Sequence, residues 1–191
     1  MFLSESELQK VGFKKLGKNV LISDKCSIYN AKNIEVGSNV RIDDFVILSA
    51  GDGGIKIGNH IHIACYASLI GAGQIILEDF SQVSSKVTIL SSSDDFSGEY
   101  LVGPCIPTEY LNVKSKEVIL KKHAVVGTGS TILPGVTLHE GAAVGAMSLV
   151  KNDVEEFTIC IGIPAKKIKK RSKKILEVEN KFEKKYYEQN K

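Results

Sequence analysis

An aliphatic residue returns at every sixth position along most of this chain. Hexads open at Val36, Ile42, Ile57, Ile63, Leu77 and Val83, and again at Leu120, Val126, Ile132, Leu138 and Val144. Four places after each opening residue stands a second small or branched one: Val40, Val46, Ile61, Ala67, Ser81 and Val87, then Ala124, Ser130, Val136, Ala142 and Ser148. Neither the helical period nor the simple strand alternation gives that beat. A hexad repeat does, because each hexad supplies one short strand and one turn of a parallel β-helix. Three hexads close one triangular coil, equivalent side chains stack above one another, and each strand pairs with the coils on either side. The fold expected is an all-β solenoid. Its narrow interior is filled by stacked Ile, Val, Leu and Ala, which is how a chain with 7% aromatic residues and no Trp can still build a core.

The open ends of a solenoid leave unpaired strand edges and need caps. Ser4-x-x-Glu7 is a capping-box pattern ahead of a short helix with Leu8 and Val11 on its apolar edge. From Ser172 onward the chain reads as a helix with Ile175, Val178, Phe182 and Tyr186 along one stripe. That stripe is expected to pack on the solenoid or a neighbouring subunit. It is short for a membrane surface, and its Glu residues would repel anionic lipid. The organisation expected is a helical cap over 1–15, a solenoid over 16–155 with a projecting loop at 91–117, and a C-terminal segment with a basic helix over 156–191. The loop is polar, holds two of the four prolines and cannot be threaded as hexads. Insertions in solenoids project outward, and projecting loops tend to carry binding surfaces.

The net charge of +3 hides an asymmetry: residues 166–191 hold eleven Lys or Arg against four Glu, so the remainder is acidic. A basic tail on an acidic body, without interleaved aromatics, argues against a nucleic-acid binder. The four cysteines (Cys26, Cys65, Cys105 and Cys160) include no CxxC pair and read as reduced thiols of a cytoplasmic protein. No apolar run is long enough for a membrane span, and the first residues lack the pattern of a secretory signal.

Three further stretches carry a resemblance. They are Ile132-Leu-Pro-Gly-Val-Thr137, then Val144-Gly-Ala-Met-Ser-Leu-Val-Lys151, then Gly162-Ile-Pro-Ala-Lys166. In that order, and together with the hexads, they resemble the hexapeptide-repeat acyltransferases, within them the galactoside, maltose and xenobiotic acetyltransferase group. The resemblance covers about residues 16–170. It implies a left-handed parallel β-helix assembled as a homotrimer, with active sites in the clefts between subunits. Acetyl-CoA is the implied donor, and no metal is required. Carried over by position, Thr128 and Ala146 would offer backbone groups to the pantetheine arm. Lys151, Lys166 and Lys169 would contact the nucleotide phosphates of CoA, a polyanion that cations suit.

The catalytic position departs from the family pattern. The galactoside-type enzymes place a general-base histidine in the loop after the hexad that corresponds to Val83. Here that slot falls near Asp94, and no His occurs from residue 63 to 122. Three readings stay open. Asp94 or Asp95 replaces the histidine, a weak base for a hydroxyl but adequate for an amine. Alternatively His62, or His60, supplies the base across a subunit interface. In the third reading the aspartates cap turns and the histidines are surface residues, as His123 and His139 are expected to be. Phe96, Glu99 and Tyr100 in the loop suit a sugar, with a carboxylate for polar groups and aromatics for ring faces.

The function expected is acetyl transfer from acetyl-CoA to a saccharide in surface-glycan assembly, with O-acetylation of a hydroxyl ahead. The alternative is N-acetylation of a nucleotide-linked amino sugar. A non-catalytic β-helix scaffold is a more remote reading. So is a metal enzyme resembling γ-type carbonic anhydrases, for which His60 and His62 lack a third partner.

Overall fold

In the computed structural model, which describes residues 1–189 with side chains through Tyr186, the hexads form a triangular parallel β-solenoid. The strands of successive coils stack into three faces. The first runs from Lys15–Leu16 through Ile34–Val36, Ile55–Ile57, Ile75–Leu77 and Val118–Leu120 to Thr137–Leu138. The second begins at Val20–Ile22 and includes Val40–Ile42, Ile61–Ile63, Gln82–Val83, Val125–Val126 and Ala143–Val144. The third spans Ser27–Tyr29 to Leu149–Val150 through Ile47–Ala50, Ser68–Gly71, Thr88–Leu90 and Thr131–Ile132.

Register follows the hexad openings. Ile22 pairs with Ile42, Ile42 with Ile63, Ile63 with Val83, Val83 with Val126, and Val126 with Val144. Every member of that column is buried, as are the other opening residues. Each buried aliphatic side chain contributes about 1.5–3 kcal/mol, so the stacked columns dominate the stability of the coils. The solenoid extends one strand past the point where the beat fades. Thr158–Ile161 pairs in parallel with Ala143–Val144, and Lys166–Lys170 folds back antiparallel on it. The lysine-rich segment is thus a strand, although its run of lysines carries no strand pattern.

Helix α1, Glu5–Val11, begins with the expected capping box and buries Leu8. Helix α2, Lys174–Gln189, docks on the corner between the first and second faces. His60 and Phe80 stack there at 4.8 Å, and Phe80 and His123 at 5.3 Å, while Phe182 and Tyr186 meet His60 edge-on. His123 is only 4% exposed, and its Nε2 lies 2.9 Å from Glu179 Oε2. The expectation that His123 is a surface residue is therefore corrected: α2 brings a buried carboxylate to it. His60 likewise belongs to this packed corner, whereas His139 is exposed. Burial pushes the Glu179 carboxyl up, but hydrogen bonds from Lys122 and His123 outweigh it and hold it below the usual range. Arg171 Nη1 donates to the carbonyls of His123 and Gly141, at 2.9 and 3.0 Å, and ties the C-terminal segment to the same corner. No helix among the described residues is long and apolar enough to cross a membrane.

Candidate active site

The corner between the second and third faces is built differently from the one under α2. The hexad places equivalent residues there in successive coils: Asp44, Cys65, Ser85, Thr128 and Ala146. Their carbonyls are used, since Tyr66, Lys86, Gly129 and Met147 donate N–H to Asp44, Cys65, Ser85 and Thr128 at 2.9 to 3.1 Å. Their own N–H groups are not: none of the five finds an acceptor among the described residues. A free backbone donor recurs over these five successive coils, about every 4.8 Å. Thr128 and Ala146, singled out from the sequence, are exposed members of this row. The coils stack closely here: a Cβ added at Gly127 would come within 2.5 Å of the Ala146 nitrogen. Such a row suits an extended amide-bearing chain.

The projecting loop leaves the third face after Leu90 and returns to the first at Val118. Its base is zipped by an antiparallel pair, Ser92–Ser93 with Lys114–Ser115. Asp95 closes the turn above it: its two oxygens accept from the Ser97 N–H at 2.7 Å and from Asn112 Nδ2 at 2.6 Å. Hydrogen bonds from Ser97, aided by Asn112, hold its carboxyl below the usual range. A buried carboxylate so occupied positions the loop. Asp94 is its opposite, exposed and with no side-chain partner among the described residues. Glu99 and Tyr100 line a depression of about 320 Å³ with Tyr110, while Phe96 stands clear at 90% exposed.

His62 is held by a carboxylate. Its Nε2 lies 2.7 Å from Asp43 Oδ2, and Asp43 Oδ1 accepts from Arg41 Nε at 2.7 Å. Burial raises the Asp43 carboxyl, but the bonds from Arg41 and His62 prevail and keep it low. His62 lies on the second face and Asp94 beyond the third, so one chain does not join them. Lys151, Lys166 and Lys169 are all exposed and unpaired among the described residues, unlike Lys167, which reaches Glu155 at 2.6 Å. Lys166 and Lys169 share the back-folded strand, opposite Ile161 and Ile159. No three His, Cys, Asp or Glu side chains cluster as metal ligands among the described residues.

Sequence reasoning named two members of the donor row and missed Ser85, Cys65 and Asp44. The hexad register was the available signal, since all five follow a buried opening residue by two places.

No family model matches the chain. A dTDP-4-amino-4,6-dideoxy-D-glucose acyltransferase of Escherichia coli is 52% identical over 181 residues, covering 95% of this chain and 94% of that one. AntD, an N-acyltransferase from Bacillus cereus solved with dTDP and 3-hydroxybutyryl-CoA, superposes with a TM-score of 0.94 at 50% identity, covering 97% and 98% of the two chains. A maltose O-acetyltransferase from Clostridium difficile 630 shares the fold at a TM-score of 0.57 and 20% identity, over 88% and 75% of the two chains. The six-residue beat and the coils it builds are thus shared, nearly end to end, with enzymes that move acyl groups, and the chain belongs to the hexapeptide-repeat acyltransferases.

Proposed function

We propose that the protein transfers an acyl group from acyl-CoA, acetyl-CoA in the simplest case, to the amino group of a nucleotide-linked amino sugar. The dTDP-4-amino-4,6-dideoxyglucose class is the acceptor the relatives favour. One observation carries the choice of amine over hydroxyl. The loop where the family histidine is expected presents instead Asp94, exposed and with no side-chain partner among the described residues.

A sugar hydroxyl must lose its proton as it attacks, which asks for a base with a pKa near neutrality. A neutral amine attacks the thioester carbonyl with its own lone pair. The C–N bond forms, the carbonyl electrons move to oxygen, and their return expels CoA thiolate. The surplus amine proton leaves late and ends on the thiolate, with Asp94 orienting the amine or relaying that proton. A free N–H of the donor row, near Ser85 or Thr128, suits the transient oxyanion. Thr128 and Ala146 then bind the pantetheine arm, and Lys151, Lys166 and Lys169 the CoA phosphates.

The relatives support this reading and move O-acetylation to second place. AntD was crystallised with CoA as variants D94A and S84A, with dTDP and with dTDP-4-amino-4,6-dideoxyglucose respectively. The present chain has Asp94 and Ser84 at the same numbers. Because Asp94 and the donor row stand on different corners, the reading needs a second copy to complete each site, as a homotrimer would.

The test is thiol release from acetyl-CoA and 3-hydroxybutyryl-CoA with dTDP-4-amino-4,6-dideoxyglucose, against matched hydroxyl sugars. Turnover is expected with the amine, and Asp94→Ala should lower kcat/KM on the order of a hundredfold. Preference for hydroxyl acceptors, lost in His62→Ala, would overturn the reading.

A further inference from the structure

Two half-exposed rings stand on the open edge, and no third ring packs on them among the described residues. Phe45 and Tyr66 stack at 5.0 Å between centroids with planes 21° apart, and they are 45% and 54% exposed. Both occupy left-handed corner positions, φ 61° and 63°, in one column with Lys86, Gly129 and Met147. The hydrogen bonds from Tyr66 to Asp44, Lys86 to Cys65, Gly129 to Ser85 and Met147 to Thr128 make that column continuous with the donor row. Tyr66 is two coils from Thr128, roughly 10 Å at ordinary strand spacing. The rings therefore share an edge with the groups assigned to the acyl donor, displaced toward the N-terminal coils.

The two faces of the stack are unequal. Lys25 Nζ lies 5.5 Å over the Phe45 ring and closes that side. Over the other face of Tyr66, toward Lys86, no ring or cation lies among the described residues. Lys86 is exposed and has no ion-pair partner among them. The nearby carboxylates already have cationic partners, Asp43 in Arg41 at 2.7 Å and Asp44 in Lys25 at 3.0 Å. One free aromatic face beside one free cation matches a flat base joined to a diphosphate.

We propose that Tyr66, backed by Phe45, is the platform for the pyrimidine base of the acceptor, with Lys86 beside it for the diphosphate. The inference rests on the nucleotide-linked acceptor proposed above. Base–aromatic stacking is sequence-tolerant, so the platform fixes where the nucleotide lies more than which base it carries. The lysine adds a charge-assisted contact that any nucleoside diphosphate sugar would use.

The test is calorimetric titration of the full-length protein with dTDP, run alongside CoA titration and light scattering. Tyr66→Ala should weaken dTDP binding roughly tenfold or more and leave CoA affinity unchanged, while Tyr66→Phe binds like wild type. Lys86→Gln should weaken dTDP severalfold and reduce its salt dependence. Wild-type dTDP affinity in Tyr66→Ala would overturn the inference. So would a loss of subunits in Tyr66→Ala that Tyr66→Phe does not share, because the ring would then be a contact between copies. Wild-type protein that binds no dTDP would overturn the acceptor reading and, with it, this one.

Discussion

Two corners of the same prism, built from the same hexads, are finished in opposite ways. At the corner between the first and second faces, side chains of one coil cap four of the six equivalent backbone N–H groups, leaving those of Asp79 and Glu140 without an acceptor among the described residues. Ser38 Oγ accepts from Lys18, Asn59 Oδ1 from Ser38, Asp79 Oδ1 from Asn59 and Glu78 Oε2 from Lys122, at 2.7 to 3.0 Å. Its aromatic column is covered by Phe182 and Tyr186 of α2. At the corner between the second and third faces the equivalent donors are uncapped, and the Phe45–Tyr66 column stands half exposed. The fold needs neither arrangement, since the aliphatic columns hold the coils. Capping adds stability of roughly 1 kcal/mol per group. Leaving donors free forgoes that gain and keeps a row of hydrogen-bonding sites for something other than the chain. The closed corner spends its donors on the fold, and the open one keeps the donors on which the proposed acyl-donor site relies.

The sharpest way to break that contrast is to transplant a cap. Ala146→Asn puts at the open corner the residue type that Asn59 is at the closed one, where its amide oxygen takes the N–H one coil back. The amide is placed to satisfy the Thr128 N–H and to stand in the path proposed above for the pantetheine arm. kcat/KM for acyl-CoA should fall on the order of a hundredfold, while the melting temperature holds or rises. Steady-state kinetics with thermal unfolding measures both. Unchanged kinetics would mean that the free donors serve only water.

At the closed corner the expected effects fall on stability. Glu179→Ala removes the acceptor of Lys122 and His123 and leaves the buried imidazole without its partner, a loss of about 1–3 kcal/mol in the docking of α2. Hydrogen exchange of α2 amides reads it, and thiol release should persist. The same pair gives a pH dependence. The Glu179 carboxyl is held below its ordinary value of 4.5 by its donors, in spite of burial. Its contribution is therefore fully present above that value and is lost as pH falls through the lower folded one. Protection of α2 should thus decline on acidification below about pH 4.5 and show no such step in Glu179→Gln.

The sequence made the solenoid legible because its signal repeats. Ile42, Ile63 and Val83 each state the register again, so one irregular coil could not mislead. Thr128 and Ala146 were named by the family resemblance rather than by the beat, whereas their slot two places after an opening residue, and that of Phe45 and Tyr66 three places after one, can be counted from the register. Contacts between segments far apart in the chain were not legible. The burial of His123 depends on Glu179, which no local pattern places beside it. Asp94 and Asp95 are adjacent and alike in sequence, yet Asn112 and Ser97 occupy one and leave the other free. Loop closure is decided by such pairings, and a single sequence does not print them.

The smallest expected effect tests whether the closed corner is as well finished inside as outside. Ser81 fills the inward slot where Ala124 and Ala142 stand in later coils, and it is fully buried. Its hydroxyl has no hydrogen-bond partner among the described residues, although the neighbouring backbone is paired. An unmatched buried hydroxyl costs about 1–3 kcal/mol, less whatever packing its oxygen provides. Ser81→Ala removes only that oxygen and matches the residue type already in the column. It should raise stability by roughly 0.5–1 kcal/mol, seen as a higher denaturation midpoint with an unchanged slope. A loss of stability instead would mean that the hydroxyl has a partner in solution, such as a bound water between coils, and that this corner too holds a polar site.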